Sequence, residues 1–361
     1  MNNTRNLFFQ HVAQTSPEPL GLEIMRAKGN LLIDRSGKKY LDLIAGISVC
    51  NVGHRHPAVV KAIQRQLKHY LHVLVYGEII ESPQVQYAHQ LTRHLPESLD
   101  MVYFTNSGAE AIEGAMKLAK RVTQKTQFIS FAKSYHGSTQ GALSIMGDET
   151  WKNPFRPLLP DVVQGEFNDL SVLKQITGRT AAVVLELVQA ERGVYAAEAG
   201  WLQALQQRCR DTGTLIIVDE IQTGFGRTGT LWAFEQTPLV PDILVLGKAL
   251  GGGMPLGAFV AHQKLMLQLS VSPALGHITT FGGHPVCCAA GLAAFHILAK
   301  EKLLSTVQQK ADLFRQLLQH PSIRAVRAKG LLIAVEFDSA DDAQAIIQYC
   351  IRNGVLTDWF L

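Results

Sequence analysis

Between residues 101 and 261 short apolar runs alternate with longer amphipathic ones, and this rhythm leaves few folds open. Met101 to Thr105, Gln127 to Phe131, Ala181 to Leu187, Thr214 to Val218 and Ile243 to Leu246 read as strands. Ala109 to Val122 reads as a helix, and so does Glu198 to Asp211, which Gly213 stops. Strands joined by helix-length connections predict an α/β architecture: a large, doubly wound, mainly parallel sheet covered on both faces. The flanks differ in texture. Pro57 and Ser82-Pro83 open helices, and after Pro285 two helices (Val286 to Leu298, Leu303 to Leu318) lead into Ile323 to Phe337. That stretch reads as strands around a Lys329-Gly330 turn, and a helix from Asp341 to Arg352 follows it. We expect a large domain over residues 46–285 and a smaller α/β domain built from both chain ends, 1–45 and 286–361. Neither end is long enough to close a core alone.

Composition excludes several functions. Nearly half of the 361 residues are apolar (47%) and 18% are charged, so the chain buries enough surface to offset its conformational entropy. Basic residues exceed acidic ones by only 34 to 30 and form no block that would track phosphates, so no nucleic-acid partner is expected. Cys50, Cys209, Cys287, Cys288 and Cys350 are odd in number and show no C-x-x-C spacing, which fits a reducing, cytoplasmic setting. The first residues lack the apolar core and cleavage pattern of a secretory signal. The run from Ile243 to Ala261 is apolar enough to suggest a membrane span, but Lys248, several glycines and Pro255 interrupt it, so no span is expected. His54 and His56 form H-x-H without a third ligand nearby; they read as a turn into a helix, and no metal is expected.

Three strand ends carry chemistry. Leu215 to Val218 delivers Asp219 and Glu220 to a glycine-rich turn, where open α/β sheets bind ligands. Ile243 to Leu246 delivers Lys248 among apolar residues and a glycine loop, where an ammonium must be paired, deprotonated or covalently used. Tyr103 to Thr105 ends in Asn106-Ser107-Gly108 and turns into a helix whose first N–H groups and Ser107 hydroxyl suit an anion. An anion cradle, a carboxylate and a lysine on one sheet edge match pyridoxal 5'-phosphate: phosphate to the cradle, ring nitrogen to the carboxylate, aldehyde to the lysine as a Schiff base.

The residues also resemble a family over nearly the whole chain. Gly53-His54-Arg55-His56-Pro57, Asn106 to Ala111, Tyr135-His136-Gly137, Glu186 to Glu191, Asp219 to Gly229, Gly247 to Gly253 and Thr279 to Pro285 fall in the order of class III aminotransferases of the fold type I pyridoxal-phosphate enzymes, the ornithine, acetylornithine and 4-aminobutyrate group. The resemblance implies that Lys248 forms the internal aldimine, Asp219 holds the pyridine nitrogen, Gln222 bonds the phenolic oxygen and Tyr135 stacks on the ring. His136 joins the cofactor-binding set, and Ser107, Gly108 and Ala109 take the phosphate. Thr280 resembles a threonine given to the neighbouring subunit's phosphate, which implies a homodimer with shared active sites. Glu191 and Arg327 resemble a gated pair in which the arginine binds a substrate carboxylate.

The expected activity is ping-pong transfer of an amino group from an amino acid or ω-amine to a 2-oxo acid, 2-oxoglutarate or pyruvate. An aminomutase, racemase or lyase on the same scaffold is one alternative, and a non-catalytic binding protein is another. Ser138 stands where relatives acting on glutamate-like and acetylornithine-like substrates place a carboxylate-binding arginine. Leu187, Ala190, Arg192 and His284 also depart from the family's usual residues. Relatives continue beyond a stretch like Asn353 to Trp359 into one more strand and a helix, so the small domain is read as either abbreviated or cut short.

Overall fold

The computed structural model describes residues 4–74, 77–300 and 302–359. Near the N-terminus β1 (Ile24–Lys28), β2 (Leu31–Asp34) and β3 (Lys39–Asp42) form an antiparallel meander. The middle supplies β4 (Met101–Thr105), β5 (Gln127–Phe131), β6 (Val162–Gly165) and β7 (Thr180–Glu186). A two-residue pair follows, β8 (Val188–Gln189) with β9 (Tyr195–Ala196), and then β10 (Leu215–Asp219), β11 (Ile243–Leu246) and β12 (Gly257–Ala261). Toward the C-terminus β13 (Ala325–Lys329) and β14 (Leu332–Glu336) make a hairpin, and β15 (Val355–Leu356) runs parallel to β3, so both chain ends share one small sheet.

The large sheet has the order β4-β12-β11-β10-β7-β5-β6. The contacts among β11, β10, β7, β5 and β6 are parallel, whereas β12 is antiparallel to both β11 and β4. The expectation of a mainly parallel sheet therefore holds, with one reversed strand. Its cause is local: the connection from Leu246 to Gly257 is a tight glycine turn, too short for the crossover that a parallel return requires. The stretch tested above as a membrane span is thus two strands and their turn. No helix among the described residues is long and apolar enough to cross a membrane.

Alternation along each central strand feeds two cores. Ile216 and Val218 of β10, with Val183 and Leu185 of β7, face the helix Ala199–Thr212 through Trp201, Leu202 and Leu205. Ile217, Val184, Ile243 and Val245 face the helix Gly108–Thr123 through Ala111, Ile112 and Ala115. Each fully buried aliphatic side chain contributes about 1.5–3 kcal/mol, so these strands form the rigid floor of the molecule.

The helix Pro285–Lys300 packs on the helices Pro57–Leu67 and Ser82–Thr92 and on the turn Lys248–Gly251. Contact with that turn demands glycine: a Cβ on Gly291 would stand 2.2 Å from the Leu250 carbonyl oxygen. The same oxygen accepts the buried Tyr87 hydroxyl at 2.7 Å, so the backbone after Lys248 is clamped from two sides.

Candidate active site

The C-terminal ends of β4, β11, β10 and β7 lie along one edge of the large sheet. Their close approach depends on small residues, since a Cβ on Gly108 would fall 2.7 Å from Ile221 Cδ1 and one on Gly247 would lie 3.3 Å from the Gly108 Cα. Ser107 caps the sixteen-residue helix Gly108–Thr123, its hydroxyl accepting the Glu110 N–H at 3.2 Å. The first-turn N–H groups of Gly108 and Ala109 mark the positive end of that helix, directly after β4.

Lys248 follows β11 by two residues with a φ of +46°, a left-handed conformation that a lysine adopts at a cost of order 1–3 kcal/mol. Its Nζ donates to Gln222 Oε1. Burial pulls the ammonium below the usual lysine range; the carboxylates of Glu191, Asp219 and Glu186 oppose that pull, and Arg227 adds to it. An amine so placed gives up its proton more readily than a surface lysine.

Asp219, only 4% exposed, ends β10. Its Oδ1 accepts the Ile221 N–H at 2.9 Å, and its Oδ2 lies 2.8 Å from His136 Nδ1. Burial works against a charged His136, but the hydrogen bond and charge of Asp219, helped by Glu186, outweigh it and raise the imidazole's pKa. The result is a buried His136–Asp219 pair in which the carboxyl group favours the protonated imidazole. Next to it Glu186, the last residue of β7, accepts the Tyr135 N–H at 3.0 Å, and burial pushes its carboxyl up to about 7.

Glu220 turns to the opposite side and is fully buried. It accepts the N–H groups of Ala233 and Phe234, both at 2.8 Å, and so pins the loop that carries Gln222 and Arg227. Burial raises its carboxyl to about 7 despite those donors and the Thr223 hydroxyl. A carboxyl whose pKa is higher folded than unfolded lends stability below the unfolded value, and that stability is lost as pH rises through the folded one. Relative to Glu220→Gln, which cannot ionise there, the parent chain is therefore expected to lose about 1.4 kcal/mol per unit of pKa shift between about pH 5 and pH 8. Urea unfolding of both proteins at the two pH values checks this; an unchanged gap contradicts it.

The remaining expected residues sit around this cluster. Tyr135 Oη lies 3.2 Å from the exposed Ser138 Oγ. Arg327, on β13, donates from Nε to the Gly193 carbonyl at 2.6 Å, pairs with Glu336 Oε2 and lies 4.5 Å above the Tyr195 ring. It is thereby fixed on the loop that begins at Glu191. Thr280 is exposed, while neighbouring Thr279 accepts the Asn106 amide at 2.7 Å beside the Ser107 turn. His54 pairs with Asp42 at 2.6 Å and His56 caps the helix that begins at Pro57. No cluster able to hold a metal is found among the described residues.

Sequence reasoning placed Glu220 beside Asp219 at a strand end and Glu186 and Arg227 within the family motifs, but assigned none of the three a role. The usable signal for Glu186 was its position as the terminal carboxylate of a strand, matching that of Asp219 on the next strand. Arg227 is half-buried, and desolvation lowers its pKa; its side chain donates to Asn51 Oδ1, and its carbonyl accepts the Leu331 N–H at 2.9 Å from the β13–β14 hairpin.

Comparison with known proteins places this geometry. The family described as "Aminotransferase class-III" matches residues 12–360. An acetylornithine aminotransferase of Bacillus anthracis is 38% identical over 341 residues, covering 93% of this chain and 86% of that protein. The solved ornithine aminotransferase of Toxoplasma gondii, described with partial occupancy of PLP at its active site, superposes with a TM-score of 0.89 at 31% identity, covering 98% of this chain and 85% of that one. An (S)-enantioselective omega-transaminase from Thermomicrobium roseum superposes with a TM-score of 0.88 at 26% identity, covering 98% and 90%.

Proposed function

The chain belongs to the class-III aminotransferase family, a pyridoxal-phosphate-dependent aminotransferase of fold type I, and on that premise we propose which residues hold the cofactor and what the enzyme joins. The reading rests on one observation: a half-buried Lys248 amine, its pKa lowered by desolvation, shares a sheet edge with the buried Asp219–His136 pair and the start of a long helix. These features fit the group. When bound, pyridoxal phosphate supplies an aldehyde that takes up amino groups and a ring that accepts the electron pair released at the substrate's α carbon.

Ser107, Gly108 and Ala109 would receive the phosphate at the helix start, Asp219 backed by His136 would hold the ring nitrogen, Gln222 would bond the phenolic oxygen and Tyr135 would stack on the ring. Lys248 Nζ would be the amine offered to the cofactor's aldehyde and the base that holds and moves the proton of the substrate's α carbon; burial lowers its pKa, which favours the neutral form that accepts that proton. The clamped Leu250 carbonyl and the left-handed backbone aim this amine, so little orientation is lost at each turn.

Arg327 holds a carboxylate of the amino donor or of the 2-oxo acid acceptor, and Glu191 covers it when no such group is bound. The family's activity requires these two partners; 2-oxoglutarate or pyruvate is the acceptor proposed here. Ser138 and the Tyr135 hydroxyl offer a neutral, hydrogen-bonding surface in place of an arginine, which favours an ω-amine or an amino acid that turns its carboxylate toward Arg327. A panel of donors scored by conversion of the cofactor to its amine form, and of 2-oxo acids scored by its return to the aldehyde form, tests this, and failure of every 2-oxo acid contradicts it. In the same assay Arg327→Ala is expected to raise the acceptor's KM about 10- to 100-fold while kcat changes far less.

A second copy of the chain is the proposed partner. Leu71, Leu74, Ile79, Ile80, Ile278 and Phe281 are exposed, Ile80 by 91%. Their two segments meet where His72 packs 4.9 Å from the Phe281 ring. Covering this apolar surface would bring Thr280 to the neighbouring subunit's phosphate site. The five unbridged cysteines suit the reducing cytoplasm.

A further inference from the structure

We propose that Glu186 is a positioning residue for the ring end of the site: it sets the charge shared by His136 and Asp219 and holds the backbone that carries Tyr135. The proposal rests on the reading of Asp219 as the ring-nitrogen partner. Asp219 and Glu186 are register partners on the parallel strands β10 and β7, so both strands stop at the same height with two carboxyls side by side. Both are buried, 4% and 5% exposed. His136 joins them: Nδ1 reaches Asp219 Oδ2 at 2.8 Å, while its Nε2 is buried without a hydrogen-bond partner among the described residues. Glu186 Oε1 meanwhile accepts the Tyr135 N–H at 3.0 Å, and the Ala190 N–H also faces this carboxyl. One side chain thus ties together the Tyr135–His136 segment, the end of β10 and the turn that leads to Glu191.

Charge counting gives the consequence. The titratable groups facing Glu186 are His136 and Asp219, and the Lys248 amine also feels it. An imidazolium and one carboxylate cancel; a second ionised carboxylate leaves a net negative charge in a water-poor pocket, which burial opposes. The protonation of Glu186 therefore decides whether the ring end of the pocket is neutral or anionic. In the anionic state it favours the protonated His136 imidazole that pairs with Asp219.

The test uses the full chain labelled with 13C-carboxyl glutamate and 15N-histidine, titrated by NMR without and then with pyridoxal phosphate. In the cofactor-free chain the Glu186 carboxyl is expected to titrate near pH 7, as its burial implies, and not in the usual range near about 4.3. Glu186→Gln keeps an acceptor for the Tyr135 N–H but removes the charge. It is expected to lower the His136 midpoint by about one pH unit and, on loading, to weaken cofactor retention about tenfold. An ordinary Glu186 titration, or a His136 midpoint that the substitution leaves in place, overturns the proposal, whereas a merely structural role would change only thermal stability. If the variant does not fold, the parent's own carboxyl titration decides. The ring-nitrogen reading fails separately, if Asp219→Asn keeps the parent's cofactor affinity and absorbance spectrum.

Discussion

Lys248→Ala is expected to lose turnover by about 10⁴-fold or more, because one substitution removes both roles proposed for this residue, the amine that meets the cofactor and the base that moves the α proton. It is also expected to unfold at a temperature no lower than the parent. Burial disfavours the ammonium, so its removal relieves a desolvation cost, and the left-handed backbone at this position accepts alanine no worse than lysine. The turn itself remains clamped by Tyr87 and by the close approach of Gly291. Steady-state kinetics and a thermal melt on the same sample check both halves. Substantial remaining turnover would remove Lys248 from the chemistry, and a large drop in melting temperature would make it a structural residue.

The second large effect is expected at Asp219. Asparagine there still accepts the Ile221 N–H, so the loop after β10 keeps its start, but its amide nitrogen cannot receive the proton on His136 Nδ1. The buried pair is broken with one partner left behind, a loss of about 3–5 kcal/mol. A loss of that size in transition-state stabilisation is about 10²- to 10⁴-fold in kcat. The loss should fall on kcat more than on KM for the acceptor, since the carboxylate assigned to the ring lies apart from Arg327 on β13. Asp219→Asn assayed beside Arg327→Ala separates the two roles; equal KM effects from both would contradict the division.

Much of this arrangement was legible in the order of residues because its elements are locally encoded. Strands such as Met101–Thr105, Gln127–Phe131 and Ile243–Leu246 are short, predominantly apolar runs, and Lys248, Asp219 and the Ser107 turn sit at strand ends followed by glycine. The antiparallel course of β12 was not legible, because it follows from the length of the connection between Leu246 and Gly257, and the glycines and Pro255 there mark a break without showing which way the chain returns. β6 is only four residues long and includes the polar Gln164, so its pattern is too short to stand out. Glu186 and Glu220 were invisible as buried acids for a different reason. A carboxyl's burial depends on which strand stops beside it and which loop folds over it, and neither is written in its own neighbourhood. The small sheet joining β3 to β15 likewise depends on residues more than three hundred positions apart.

The most direct measurement of the central claim is borohydride reduction of the cofactor-loaded protein followed by peptide mass analysis. The account predicts a reduced phosphopyridoxyl mass on the peptide containing Lys248, absent in Lys248→Ala. A modification carried by another lysine, or a protein that binds the cofactor yet yields no modified peptide, would contradict it.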